Sequence, residues 1–82
     1  MVLEKKLAGC VLEIKSESIF LWNNSIEKAN EVLLIFKTLP EMSEQLKEFL
    51  KENHPYSIPF IAQVPIKINK EYLRWLEEIN KN

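Results

Sequence analysis

An α+β sandwich, with helices on one face of an antiparallel sheet, is the fold class this sequence predicts. Four observations carry the prediction. Residues Cys10–Trp22 follow a period of two, turn chemistry comes next at Asn23-Asn24-Ser25, and a second apolar strand ends in Val32–Thr38. Two segments with helical spacing, Met42–Leu50 and Tyr72–Ile79, are separated by a short stretch bracketed by prolines. Antiparallel strands with interposed helices bury their apolar surfaces in that layered arrangement.

Each element has its own warrant. Leu3 and Leu7 are spaced i, i+4 among good helix formers, which predicts the last turns of a helix. Gly9, the only glycine, follows where a helix C-terminus favours a residue tolerant of positive φ. In the first strand Cys10, Leu12, Ile14, Phe20 and Trp22 share one face, predicted to lie on the core. Glu13, Lys15 and Glu17 share the wet one. Asn tolerates the left-handed region, so the Asn23-Asn24 step predicts a tight hairpin. Val32 to Phe36 is an unbroken apolar run, as expected of a strand buried on both faces.

Thr38 and Glu41 have capping-box spacing, with Pro40 in the first turn of the helix they would open. Met42, Leu46, Phe49 and Leu50 mark its apolar face, and Pro55 predicts its end near Asn53-His54. Phe60 to Ile66 is predicted as a short or edge strand, since Pro59 and Pro65 bracket it. Asn69 is placed to cap a last helix whose stripe is Tyr72, Trp75, Leu76 and Ile79.

The chain has 82 residues, so residues 1–82 are read as a single domain. A domain of this size hides roughly 60–65% of the surface its unfolded chain exposes, which predicts a thin stability margin without oligomerisation. Net charge is −1, from 11 basic and 12 acidic residues, a balance that argues against nucleic acid as a partner. All the acids are glutamate, which removes the aspartate of a hydrolytic triad and of calcium loops. One cysteine cannot form an intrachain disulfide, so a cytoplasmic setting is expected. No apolar run approaches the roughly 18–20 residues of a membrane span, and charges interrupt the start before a signal peptide develops.

Several stretches, in this order and at these spacings, resemble the CutA family of divalent-cation tolerance proteins. They are "LAGCV" (Leu7–Val11), "SIFLW" (Ser18–Trp22), "EVLLIFKT" (Glu31–Thr38), "HPYSIP" (His54–Pro59), "PI" (Pro65–Ile66) and "YLRWLEE" (Tyr72–Glu78). The resemblance implies a ferredoxin-like sandwich and a tight homotrimer in which long hairpins pack across subunits. It also implies that the fold is N-terminally truncated here, because CutA chains begin with a strand and most of a helix that this chain lacks. That strand would lie centrally, and its loss leaves backbone groups unpaired at ~1–3 kcal/mol each. Three outcomes are open: "VLLIFKT" and "PFIAQVPI" close up as parallel neighbours, another chain fills the slot, or the start is assigned too late. Gap closure is the favoured expectation. The usual "WEGK"-like hairpin tip reads Trp22-Asn23-Asn24-Ser25, without its glycine and lysine.

The resemblance also frames the candidate site. Copper-binding members look to use a first-strand cysteine with histidines in a "HHPY" run, and here only His54 survives, preceded by Asn53. One imidazole does not hold a metal selectively, since sites need three or four converging ligands. The plainer reading of His54 is a helix C-terminal residue whose ring bonds the last carbonyls and faces the negative end of the helix dipole. Cys10 offers a soft ligand for copper(I), but a free cysteine is more often a small core hydrophobe, and its strand places no lysine or arginine beside it. A Cys10–His54 nucleophile–base pair would lack an orienting aspartate and a glycine-rich oxyanion turn, so no enzyme is expected. The resemblance puts Lys37 near a cleft between subunits with His54-Pro55-Tyr56 close by, where an anion can bind. Lys37 as a solvated strand-end lysine is the alternative. Trp22 and Trp75 read as subunit anchors or core edge.

Two functions follow. The first is a CutA-like, non-enzymatic, trimeric protein of divalent metal ion tolerance with weak copper binding at His54. The second is a trimeric sensor or scaffold, similar in architecture to PII-type signalling proteins. It would bind an anionic small molecule through Lys37, His54 and Tyr56.

Overall fold

The structure, a computed structural model, describes residues 1–56 and 58–81. It is built around one antiparallel hairpin. Strand β1 (Cys10–Trp22) pairs along its whole length with β2 (Ser25–Lys37), from Cys10 opposite Lys37 to Trp22 opposite Ser25. Asn23 and Asn24 close the hairpin at φ 51° and 65°. Two successive residues at positive φ make the turn whose twist matches that of paired strands, and asparagine adopts that region more readily than most residues. The Ser18 hydroxyl donates to the Glu31 carboxylate across the ladder and makes a polar belt at mid-hairpin.

After β2, a short 3-10 turn (Pro40–Met42) leads into helix α1 (Ser43–Asn53), and helix α2 (Lys70–Lys81) ends the described chain. The α1 stripe packs as its spacing predicts: Leu46 is buried, with Met42, Phe49 and Leu50 packed around it. In α2, Leu76 is buried, Tyr72 and Ile79 are half-buried, and Trp75 is 46% exposed. Asn69 sits just before α2. Its carbonyl accepts the Leu73 amide at 3.2 Å, and its side-chain amide donates to Glu71 Oε2 at 3.1 Å.

The amino-terminal segment forms a helix-ending turn without a regular helix. The Leu7 amide donates to the Val2 carbonyl at 3.1 Å and the Lys6 amide to the Leu3 carbonyl at 3.1 Å. These are the two bonds of a Schellman motif, and its left-handed residue is Lys6, at φ 59°. The expected helix end is therefore present, but glycine does not supply the positive φ. The motif also brings its flanking apolar pair, Val2 and Leu7, into the core beside Ala8 and Leu46, while Leu3 stays exposed.

Gly9 serves a different purpose. A Cβ on it would lie 2.6 Å from Leu76 Cδ2, 3.0 Å from Ile79 Cδ1 and 3.1 Å from Trp75 Cζ3. The absence of a side chain lets α2 approach the start of β1, where the Gly9 amide extends the ladder to the Lys37 carbonyl at 2.9 Å.

Four expectations are corrected. Thr38 does not cap a helix; its hydroxyl donates to the Leu7 carbonyl at 2.7 Å, tying the Schellman turn to the end of β2. The helix core meets the sheet through Phe36, which pairs with Val11, and not through the face of Leu12, Ile14, Phe20 and Trp22. That face is open, with Leu12, Ile14, Phe20 and Trp22 all exposed. The Val32–Ile35 run is exposed too, and among the described residues no strand pairs with its outer edge. Finally, Phe60–Ile66 forms no strand and the expected gap closure does not occur. Among the described residues the sheet has two strands, and Phe60 is 91% exposed. Pro59 and Pro65 remove two amides from any ladder this segment might join.

Candidate functional site

The candidate residues fall into two places. Lys37 and Cys10 stand opposite each other at the base of the hairpin, so their side chains leave the same face of the sheet. This corrects the expectation that no basic residue lies beside Cys10: the neighbour comes from across the ladder, which strand spacing alone does not reveal. The Lys37 Nζ lies 5.2 Å from the centroid of the Tyr72 ring. An ammonium over an aromatic face is attracted by the ring quadrupole, by about 0.5–1 kcal/mol where water has access. Tyr72 in turn meets Trp75 edge-on at 5.2 Å between centroids. The base of the hairpin therefore carries a cation, a half-buried thiol and two aromatic rings held by α2. Tyr72 is the member that sequence reasoning assigned only to the core. Its place on the α2 stripe was the available signal.

His54 and Tyr56 form the second place. His54 is the C-cap of α1, in extended geometry at φ −86° and ψ 138°, as Pro55 after it requires. The Tyr56 amide donates to His54 Nδ1 at 3.0 Å, and the two rings lie 5.1 Å apart. The imidazole does not bond the last helical carbonyls, as one reading expected. Asn53 does so instead, donating from Nδ2 to the Phe49 carbonyl at 2.8 Å.

That hydrogen bond decides what the imidazole can offer. A ring whose Nδ1 accepts a proton donor carries its own proton on Nε2 when neutral, and so presents Nε2 as a donor. Binding a cation through Nε2 requires the other tautomer, with loss of the Tyr56 amide bond. Binding through Nδ1 displaces that amide directly. Among the described residues no three His, Cys, Asp or Glu side chains converge on one ion position. The donors of a single chain do not fit a closed copper or other divalent-metal site. Lys37 and His54 do not share a partner: Lys37 lies over Tyr72 and His54 accepts from the Tyr56 amide.

Glu71 stands in the first turn of α2. Its carboxyl is held below the ordinary carboxylate value by its backbone amide at the start of α2 and by the Asn69 side chain. It is fully exposed and lies next to Tyr72 in the chain.

Comparison with known proteins places this frame. The family model described as CutA1 divalent ion tolerance protein matches residues 1–79. The divalent-cation tolerance protein CutA of Thermococcus kodakarensis is 37% identical over 79 residues, covering 95% of this chain and 76% of that protein. That of Archaeoglobus fulgidus is 40% identical over 78 residues, covering 94% of this chain and 76% of that protein. The crystal structure of CutA1 from Pyrococcus horikoshii superposes with a TM-score of 0.90 at 34% identity, over 95% of this chain and 78% of that one. The agreement of backbone frame, matched sequence and α+β, ferredoxin-like topology leaves one conclusion: the chain belongs to the CutA1 divalent ion tolerance protein family.

Proposed function

We propose that this chain serves divalent-cation tolerance as a non-enzymatic homotrimer whose subunits bury the open face of the hairpin against one another. The observation that carries the reading is the apolar face of Leu12, Ile14, Phe20, Trp22, Leu33 and Ile35, exposed on the side of the sheet away from the Phe36 core. Two magnitudes support it. The chain exposes 7138 Å², where a compact monomer of its mass exposes about 5,100 Å². Its radius of gyration is 15.2 Å, against about 12 Å for a compact domain of this length. An excess of about 2,000 Å² is the scale of surface that obligate subunits hide. The count of three rests on the family resemblance; the need for a copy rests on the geometry.

Light scattering at micromolar concentration tests the reading, with a mass of three chains expected. A monomer mass there would overturn it. Copper is held weakly on this reading, because His54 alone offers one ligand and already uses its Nδ1. A calorimetric copper titration that is unchanged in His54→Ala would remove His54 from metal binding. A cytoplasmic setting is proposed on the unpaired thiol of Cys10. Fractionation tests it, against relatives named as chloroplastic in Oryza sativa and periplasmic in Archaeoglobus fulgidus.

A second reading is kept because Lys37 has an aromatic ring and no carboxylate among its contacts in the described residues. Its charge is then free to meet an anion. Phosphate binding that disappears in Lys37→Met, with copper heat absent, would favour that reading.

A further inference from the structure

We propose that the Ser18–Glu31 pair sets the register in which copies of this chain meet, with the polar belt of one hairpin lying against the belt of the next. The inference rests on the reading of the open face as the surface between subunits, and adds what aligns them. That face carries the even-numbered residues of β1 and their partners on β2. It has two apolar stretches. Leu12, Ile14, Leu33 and Ile35 form one toward the base, and Phe20 and Trp22 form the other toward the tip, all of them exposed. A strand added at either edge of the ribbon extends the sheet sideways and leaves this face open.

The belt stands between the two stretches. Glu31 is directly opposite Ser16, while Ser18, opposite Ala29, donates its hydroxyl to the Glu31 carboxylate. Ser18 and Glu31 are half-buried already in the single chain. The other charged residues of this face are Glu27, toward the tip, and Lys37, at the base over the Tyr72 ring.

Strand periodicity is the reason a belt is needed. Side chains return to the same face every second residue, about 6.7 Å along the strand. A copy displaced by that step still presents the same face to its neighbour. Apolar burial is non-directional, so by itself it selects no alignment. A carboxylate removes the degeneracy. In the aligned register it meets the Ser16 and Ser18 hydroxyls of the next copy. One step toward the base, it is pressed against the Ile14 and Leu33 of that copy, and a charge buried on apolar side chains is strongly disfavoured. Fixing register and subunit number at some cost in stability is the best-attested use of buried polar groups. The belt thus makes the assembly weaker and unique.

Mass and subunit exchange of the intact chain test the proposal. The unsubstituted protein is expected as one species of three chains. Ser18→Val with Glu31→Leu removes the belt. The expected result is roughly tenfold tighter association on dilution, together with several masses in chromatography with light scattering. A single three-chain mass for this variant would overturn the proposal. Dissociation to monomers would also overturn it, by making the belt an adhesive contact. Adding Leu33→Glu rebuilds the belt one step away, because Ser16 is diagonal to position 33 as Ser18 is to position 31. This relocated chain is expected to regain a single mass. Mixed with unsubstituted chains, it should form roughly tenfold fewer mixed assemblies than random exchange gives. Free mixing would overturn the proposal, and this result is read even where the double variant does not fold. Glu31→Gln keeps an acceptor for Ser18 and is expected to keep the single mass; several masses there would count against the pair. A monomer mass for the unsubstituted chain removes this inference and the subunit reading together. A three-chain mass with free mixing removes this inference alone.

Discussion

The two ends of the hairpin obey the same ladder and live in different surroundings. At the base, the Gly9 amide, the Thr38 hydroxyl and the buried Val2, Leu7, Ala8 and Leu46 fasten the strands to both the amino-terminal turn and α1. At the tip, Leu21 and Ile26 face each other at 74% and 73% exposure, with Trp22 at 62% beside them. Local backbone chemistry is equally good at both ends. What differs is burial, and an isolated two-stranded ribbon is at best marginally stable in water. The contrast teaches that the base is stabilised by this chain and the tip by whatever it meets.

Substitutions at the two ends should therefore differ in how they depend on protein concentration. The largest effect is expected from Leu46→Ala, which empties the centre of the base core. It should cost about 2–4 kcal/mol in denaturant unfolding, and dilution should change the energetic cost little. Next comes Gly9→Ala. Its methyl meets Leu76 at 2.6 Å, so α2 must move. A loss of about 1–3 kcal/mol is expected, read as a lower Tm with disturbed Trp75 fluorescence. An unchanged Tm would mean that α2 does not seat against the hairpin base.

At the tip, Trp22→Glu, on the open face, should change the unfolding free energy of dilute protein by no more than about 0.5 kcal/mol. Its effect should instead be on mass: a shift toward monomer in light scattering at micromolar concentration. If Trp22→Glu destabilised the dilute chain as strongly as Leu46→Ala, the contrast between the ends would collapse. The smallest effect concerns Glu71. A carboxyl whose folded value is lowered contributes stability above its unfolded value and loses that contribution as pH falls through the lowered one. Glu71→Gln should therefore flatten the acid limb of thermal unfolding slightly and leave neutral pH almost unchanged.

Much of this was legible in the residues. The Asn23-Asn24 step announced a two-residue turn, and the α1 and α2 stripes announced which residues face inward. The period of two in β1 marks two unlike faces, and Glu13, Lys15 and Glu17 are exposed as it predicts. Periodicity does not say which face a helix will meet, however, and the helix core meets Phe36 on the side opposite Leu12 and Ile14. Phe60–Ile66 has strand composition, yet a ladder needs a neighbour with free groups in register, and that is a property of the whole sheet. Thr38 matched a capping box because four residues define the pattern. The competing carbonyl of Leu7, distant in sequence, was invisible to it. At the site, His54 was legible as a helix-end residue, while its Nδ1 partner depended on how the chain bends after Pro55. Lys37 and Tyr72 belong to elements far apart in sequence, so only packing joins them.

The length of the hairpin has a mechanical consequence. Each strand has 13 residues and so reaches about 43 Å at about 3.3 Å per residue. Helix α1, with 11 residues, extends only about 17 Å. More than half of the ribbon is a cantilever, clamped at one end and free to twist about its long axis. The angle at which its far end points is then written by neighbouring molecules, and a small rotation at the clamp is magnified into a displacement several times larger at Asn23-Asn24.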